Sequence, residues 1–276
     1  MISVLDQACE ILTCSDPSQK AKLALKMQVN WEANNKDQIQ KTLSSPPATP
    51  GRPKAPLLVP PKDVPRRRLG SKEGRGALLH AIAHIELNAI DLAADMMARF
   101  AQHNIIVQGG GALQSQSRFI SDWIKVCAEE AKHFNLLTAR LEALGFSYGY
   151  FPAHNGLWDA AESTKTNIAA RLAIAPMVLE ARGLDVTPGM IKKLTVIGDM
   201  ESANILKVIY EEEVEHVKIG ASWFQRIAKQ MQKEPVGLFH LLVEKHFKGR
   251  LKPPFNVQAR TLAGLTEEYY LPLSNC

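Results

Sequence analysis

Cysteine is scarce in this sequence, and no two cysteines have the spacing of a redox or metal motif. The four cysteines form no Cys-x-x-Cys pair: Cys9, Cys14, Cys127 and Cys276. A rubredoxin-type iron site is therefore excluded. Glycine-rich nucleotide motifs are missing as well, because residues 108–111 follow no strand pattern and lack the Gly-x-Gly-x-x-Gly spacing. Any electrons that the protein uses must come from an external donor.

Long apolar runs are also missing. Acidic residues interrupt residues 1–30, so no signal peptide is predicted. No run reaches the roughly 18 apolar residues typical of a membrane span. We therefore expect a cytoplasmic, reduced and soluble protein that does not bind membranes.

Strand patterns of useful length are absent, and the composition is that of an ordinary globular protein. Hydrophobic residues make up 46% of the 276 residues and charged residues 22%. Apolar residues recur instead at helical spacing, which predicts an all-α fold. The length allows one large domain with appendages or two small domains.

The sequence has 33 Lys and Arg residues against 28 Asp and Glu residues. Much of the positive excess lies between residues 52 and 75. Pro65-Arg-Arg-Arg68 lies in this stretch. We interpret it as a solvated linker. The alternative is a patch that binds phosphate or RNA.

Three regions follow from the helical periodicity and the proline content. Residues 1–70 form short helices and a proline-rich basic connector, and residues 233–276 form one helix and an extended wrap. Between them, residues 71–232 form a four-helix bundle whose helices two and three are joined by a long crossover, residues 145–157. Such a crossover distinguishes a ferritin-like bundle from an up-and-down bundle.

Local signals predict where the bundle helices begin. Ser71 is a capping residue, so the first bundle helix is predicted to begin there. The third helix is predicted over residues 158–182, with a kink at Pro176. A separate short helix is predicted to open at Thr187-Pro188, and Asp199 is predicted to cap the fourth helix.

One short motif occurs twice within the bundle. It reads Glu130-Ala-Lys-His133 and Glu213-Val-Glu-His216, and each copy is preceded by a further carboxylate, Glu129 or Glu212. Residues three positions apart share a helix face, so each copy aims a carboxylate and an imidazole in one direction. A single Glu-x-x-His is common on charged helix surfaces, where it is only a solvated acidic run. Two copies indicate a metal site.

Two further glutamates interrupt apolar helical stretches. Glu86 and Glu180 complete the order Glu, Glu-x-x-His, Glu, Glu-x-x-His, which is the ligand set of di-iron and di-manganese carboxylate bundles. Buried carboxylates need cations beside them. The predicted ligands of two iron ions, or of manganese, are Glu86, Glu130, His133, Glu180, Glu213 and His216.

Residues close to the predicted metal ligands are predicted to orient them or to pack around them. Glu129 and Glu212 are predicted to accept hydrogen bonds from the outer ring nitrogens of the metal-bound histidines. Cys127 and Tyr210 lie three residues before the motif glutamates and are predicted to line the pocket, with core packing as the alternative. His80 and His84 are interpreted as packing or hydrogen-bonding residues.

These motifs resemble the ferritin-like di-iron carboxylate superfamily over residues 71–232. Over residues 50–272 the sequence is similar to a bacterial ferritin-like family of uncharacterised function. Two segments carry this similarity: His80-Ala-Ile-Ala-His-Ile-Glu-Leu87 and Glu180-Ala-Arg-Gly-Leu-Asp-Val-Thr-Pro-Gly-Met190. The resemblance implies a di-iron oxidase or monooxygenase that uses dioxygen on an organic substrate, as a monomer or homodimer. Iron or manganese handling and hydroxylation of RNA remain the alternatives.

Overall fold

The computed structural model describes residues 3–33, 45–64, 68–103 and 112–274, and the backbone alone for residues 112–114. Within these residues the regular structure is helical, and there is no strand. Two isolated bridges pair Leu58 with Ala153 and Leu251 with Ser274. The all-α prediction is confirmed.

The chain divides into two compact units, Met1–Gly156 and Leu157–Cys276. This division lies inside the predicted 71–232 bundle. The three predicted regions, and the ferritin-like arrangement of the bundle, therefore stay predictions.

The described part of the first unit contains four helices and a short 3-10 turn at Pro61–Asp63. The helices are α1 (Val4–Thr13), α2 (Pro17–Ala33), α3 (Lys72–Phe100) and α4 (Ala112–Ala143). Helix α3 packs against α4 and α1, and α2 packs against α4. The Ser71 hydroxyl accepts a hydrogen bond from the Gly74 N–H, which confirms the predicted cap and start of α3.

The proline-rich connector packs against the helices of the first unit. The N–H of Gly51 donates to the Leu12 carbonyl, 2.7 Å away, and a side chain at this glycine would meet the Thr13 carbonyl oxygen at 2.3 Å. Arg52 donates to the Asn88 side chain at 2.6 Å. The interpretation of this arginine as part of a solvated linker is wrong. Arg66 and Arg67 lie outside the described residues.

A buried ion cluster fixes the middle of α3. Asp91 is paired with Lys20 at 2.5 Å and with Arg52 at 2.9 Å, and its carboxylate is fully buried. Burial raises the pKa of Asp91, while the charges of Lys20 and Arg52 act in the opposite direction. The two cations come from α2 and from the connector, so three segments of the first unit depend on one carboxylate.

The second unit consists of shorter helices around one long helix. In chain order they are α5 (Gly156–Thr164), α6 (Ile168–Ile174), a π-helical segment (Ala175–Glu180), α7 (Ala181–Val196), α8 (Met200–Gln230), α9 (Pro235–His246), α10 (Val257–Leu262) and α11 (Glu267–Tyr270). Helix α8 packs against α7, α6 and the π-helical segment. The Asp199 carboxylate accepts from the Ser202 N–H, confirming the predicted cap of α8.

The sequence prediction for residues 158–198 is partly wrong. We expected one helix over 158–182, kinked at Pro176, and a separate helix opening at Thr187-Pro188. Instead α7 continues through Gly183 and Pro188, and the residues around Pro176 form a π-helical segment. Proline has no N–H to donate, and such local π segments are frequent at functional sites.

A glycine in α8 accommodates this π-helical segment. A side chain at Gly220 would lie 2.4 Å from the Cβ and Cγ atoms of Pro176. Only glycine leaves room for the Pro176 ring against the backbone of α8. The contact fixes the height at which the π-helical segment, which ends at Glu180, lies along α8.

One described helix meets the length and composition of a membrane span. Helix α3 contains an apolar window of 18 residues, and 72% of that window is buried. A core helix of a soluble protein has the same properties, so α3 gives little information about location.

Candidate metal centre

Three of the predicted ligands meet in the first unit. Glu86 projects from α3, and Glu130 and His133 project from α4, the helix against which α3 packs. The Nδ1 atom of His133 lies 3.2 Å from Glu86 Oε2 and 3.5 Å from Glu130 Oε2. One ligand atom from each of the three residues lies within 4.8 Å of the others. We call Glu86, Glu130 and His133 the first ligand set.

The side chains of the first ligand set are buried, so their negative charges are poorly solvated. His133 and Glu130 are fully buried, and Glu86 is 3% exposed. Burial raises the pKa of Glu86 well above its usual value, and the nearby charge of Glu130 raises it further. Burial alone would lower the pKa of His133, but the hydrogen bonds and charges of Glu130 and Glu86 outweigh it and raise that pKa to about 11. The two carboxylates therefore favour a positive charge between them.

The second unit contains the other three predicted ligands. Glu180 is the last residue of the π-helical segment, and Glu213 and His216 lie in the middle of α8. His216 Nδ1 is 3.7 Å from Glu213 Oε1, and the Glu213 side chain is 13% exposed. His216 is buried and Glu180 is half-buried. We call Glu180, Glu213 and His216 the second ligand set.

The residues predicted to support the histidines flank both sets. Glu129 and Glu212 are half-buried, each on the helix that carries its neighbouring ligand. Their hydrogen bonds to metal-bound imidazoles stay a prediction.

The two residues predicted to line the pocket have packing and hydrogen-bonding partners. The Cys127 thiol is fully buried and lies 3.7 Å from the Ile90 carbonyl oxygen. Burial raises the pKa of the Cys127 thiol, which favours its protonated form. The Tyr210 hydroxyl accepts a hydrogen bond of 2.9 Å from the Asn256 side chain. The position of either residue in the wall of a metal pocket stays a prediction.

His80 and His84 are neutral, buried residues of the first unit. The Nε2 atom of His80 accepts from the Gly149 N–H at 2.9 Å. His84 donates through Nε2 to the His154 carbonyl at 3.1 Å, and its Nδ1 accepts from the Tyr148 hydroxyl at 2.8 Å. Burial lowers the pKa of both histidines to about 4. Sequence reasoning missed Tyr148, for which the only signal was the number of aromatic residues in 145–157.

Comparison with known proteins identifies the family of this chain. A family model described as "Protein of unknown function (DUF455)" matches residues 13–271. The chain belongs to this family. A Haemophilus influenzae relative named "Uncharacterized protein" is 42% identical over 215 residues, which cover 78% of this chain and 73% of the relative. No solved structure matches the chain.

The donor types in this member of the family suit a hard or borderline metal ion. Carboxylate oxygens and imidazole nitrogens are the ligands that iron and manganese prefer, and thiolates are not offered. In the first ligand set, His133 Nδ1 lies within 3.5 Å of an oxygen atom of each carboxylate. Metal binding there would require His133 to be neutral, because only the neutral imidazole coordinates a metal.

Proposed function

We propose that this protein holds two iron ions and activates dioxygen to oxidise or hydroxylate an organic substrate. The first ligand set carries the proposal. Two adjoining carboxylates and an imidazole, all buried, are costly without a cation. Surface glutamates of a solvated acidic run would have water around them, whereas Glu130 and His133 have none of their surface exposed.

The repeated motif supports two metal ions rather than one. The second ligand set repeats the order of the first and its Glu-x-x-His spacing, and the whole set of four glutamates and two histidines is that of dinuclear carboxylate bundles. We propose that the fold is a ferritin-like four-helix bundle and that each ligand set contributes to metal binding. Manganese is the alternative metal, because its ligand preferences are the same.

The residues of this chain have distinct roles in the proposed site. Glu86, Glu130 and His133, with Glu180, Glu213 and His216, hold the metals, which supply electrons to dioxygen when they are bound in the ferrous state. Glu129 and Glu212 orient the histidines. The neutral thiol of Cys127 and the hydroxyl of Tyr210 line the pocket. An external donor must return the electrons, because the sequence offers no flavin, nicotinamide or Cys-x-x-Cys motif.

Anaerobic loading with ferrous iron followed by exposure to oxygen tests this function. We expect new absorbance in the near-ultraviolet and visible range, together with consumption of dissolved dioxygen, in the wild-type protein. Glu130→Gln preserves the shape of a ligand and removes its charge, so it should show neither change. Glu142→Gln, an exposed position on the same helix, is the matched control and should behave as wild type. Identical oxygen consumption by Glu130→Gln would refute the proposal.

Handling of iron or manganese is the alternative that uses the same ligands. In that case oxidation of the metal is the end of the reaction. A large cage of many subunits would favour storage, whereas a monomer or homodimer favours an enzyme. The native mass measured by light scattering separates the two.

RNA hydroxylation is a further alternative, based on the basic stretch at residues 52–75. The structure reduces its support, because Arg52 is used inside the first unit by Asp91 and Asn88. Binding of tRNA that weakens steeply with salt would favour it.

A further inference from the structure

A cavity of about 330 Å³ lies within the second unit. Its walls come from the end of the π-helical segment, from α7 and from the segment 247–255. The volume is at the lower end of the range typical of small-molecule sites, roughly 300–1,000 Å³. We call it the basic pocket, because five of its lining residues are cationic: Arg182, Lys248, Arg250, Lys252 and Arg260.

The acidic residue among the lining residues is already neutralised. Asp185 forms a two-pronged ion pair with Arg260, at 2.8 Å to Nε and 2.7 Å to a terminal nitrogen. It also accepts from the Asn256 N–H at 2.9 Å. Arg260 packs over the Phe255 and Tyr270 rings. This pair is a fixed wall of the pocket and leaves no negative charge to offset the remaining cations.

Three cations at the basic pocket remain available to a ligand. Lys248, Arg250 and Lys252 are exposed, and the described residues give their side chains no hydrogen bond or ion pair. Arg182 is used differently, since it donates to the Lys252 and Pro254 carbonyls at 2.6 and 3.2 Å and thereby fixes the segment that carries the cations. Three like charges on one short segment repel each other, so an anion between them is stabilising.

The pocket also has an apolar part. Its remaining walls include the apolar residues Val178, Leu179, Phe247, Leu251 and Phe255. An apolar cavity with a few charged groups at its edge fits a small organic anion, with its apolar body inside and its acidic group among the cations. An extended polyanion such as RNA would instead need a basic stripe along an open surface.

We propose that the basic pocket binds a small organic anion. The anion is a phosphate monoester or a carboxylic acid, and it has an apolar or aromatic body. This goes beyond the proposed metal chemistry and does not depend on it. The occupant would contact Val178 and Leu179, which directly precede the predicted ligand Glu180.

Fluorescence titration of the full chain with 1-naphthyl phosphate tests the proposal. Two companion ligands separate the parts of the interaction: 1-naphthol has the apolar body without charge, and inorganic phosphate has the charge without the body. The test variant is the triple substitution Lys248→Gln, Arg250→Gln, Lys252→Gln. The matched control is Lys192→Gln, Lys193→Gln, Lys233→Gln, which removes the same charge from exposed positions of the same unit.

We expect saturable binding of one 1-naphthyl phosphate per chain, and weaker binding of both companions. The test variant should weaken this binding at least about tenfold, since charge-assisted contacts are lost, and the control should change it less than about twofold. Equal weakening in both triples, equal affinity for 1-naphthol, or saturable binding of an RNA oligonucleotide in place of the phosphate ester would overturn the proposal.

Binding to a metal must be distinguished from binding in the basic pocket. Glu130→Gln serves for this, because it removes a predicted ligand in the other unit. We expect it to bind 1-naphthyl phosphate as wild type does. Loss of binding in Glu130→Gln with retention in the triple at residues 248–252 would place the anion on the metal and overturn the proposal.

Discussion

The two ligand sets share one sequence pattern but lie in different surroundings. Within each Glu-x-x-His motif, the glutamate oxygen lies at nearly the same distance from the histidine Nδ1 atom. The distance is 3.5 Å between Glu130 and His133 and 3.7 Å between Glu213 and His216. The Glu130 side chain is fully buried, whereas that of Glu213 is 13% exposed. The spacing therefore determines the geometry inside a helix, and the neighbouring elements determine the electrostatic cost.

The elements behind the two sets also differ. The first set depends on α3, which is fixed by a buried ion cluster around Asp91. The second set depends on a π-helical segment seated on Gly220. Substitutions at these two supports should therefore affect the two ligand sets separately, and hydrogen exchange can locate each effect.

The largest expected effect is on the support of the first set. Lys20→Met leaves the buried Asp91 carboxylate with Arg52 alone, and breaking a buried pair in this way costs about 3–5 kcal/mol. We expect urea denaturation to show that loss, and hydrogen exchange by mass spectrometry to show faster exchange in α3. Lys22→Met, at an exposed position of the same helix, is the control. Unchanged stability in Lys20→Met would mean that Asp91 does not fix α3.

Acid should affect the first unit through His80. Its folded pKa is about 4 and its ordinary value is 6.5, so below pH 6.5 the unfolded chain binds the proton and the folded chain does not. Protonation of His80 in the unfolded chain therefore leaves the free energy of unfolding unchanged above pH 6.5. As the pH falls towards 4, it lowers that free energy by on the order of 2 kcal/mol. His80→Gln keeps an acceptor for Gly149 and should reduce this dependence in urea titrations between pH 7 and 5, while His84, whose pKa is also lowered to about 4, retains its own contribution. An identical pH dependence in both proteins would contradict the assignment.

The support of the second set should respond to a single methyl group. Gly220→Ala places a Cβ against the Pro176 ring, and overpacking of this kind costs about 1–3 kcal/mol. We expect faster hydrogen exchange in the π-helical segment and in α7, with α3 unchanged. Gly189→Ala is the control, because a Cβ there meets nothing within 4 Å. Faster exchange in α3 as well would remove the separation between the two supports.

The smallest expected effect concerns the carboxylates beside the ligands. Glu129→Gln and Glu212→Gln should each weaken metal binding about tenfold, the lower end of what loss of a histidine partner causes. Competition with a chelator measures this. Glu142→Gln controls for charge on α4. No change in either variant would remove Glu129 and Glu212 from the site.

The sequence predicted local features well, because they depend on neighbouring residues. The caps at Ser71 and Asp199, and the shared face of Glu130 and His133, follow from helix geometry alone. The approach of Glu86 to His133 also agrees with the prediction, since both interrupt apolar faces of helices that pack together.

Features that depend on distant residues could not be predicted. Arg52 looks like part of a solvated linker until its partner Asp91, on another element, is known. Gly183 and Pro188 are usual helix-ending signals, yet α7 runs through both. The π-helical segment requires the contact between Pro176 and Gly220, which are 44 positions apart in the sequence. No local pattern records such a pairing.

Metal content per chain tests the central claim most directly. The wild-type protein, Glu130→Ala and His216→Ala are purified without added ions and analysed by mass spectrometry of the elements. We predict about two iron or manganese ions per wild-type chain, as in dinuclear bundles, and loss of most of both ions in each variant. Full metal content in both variants would contradict the assignment of these ligands.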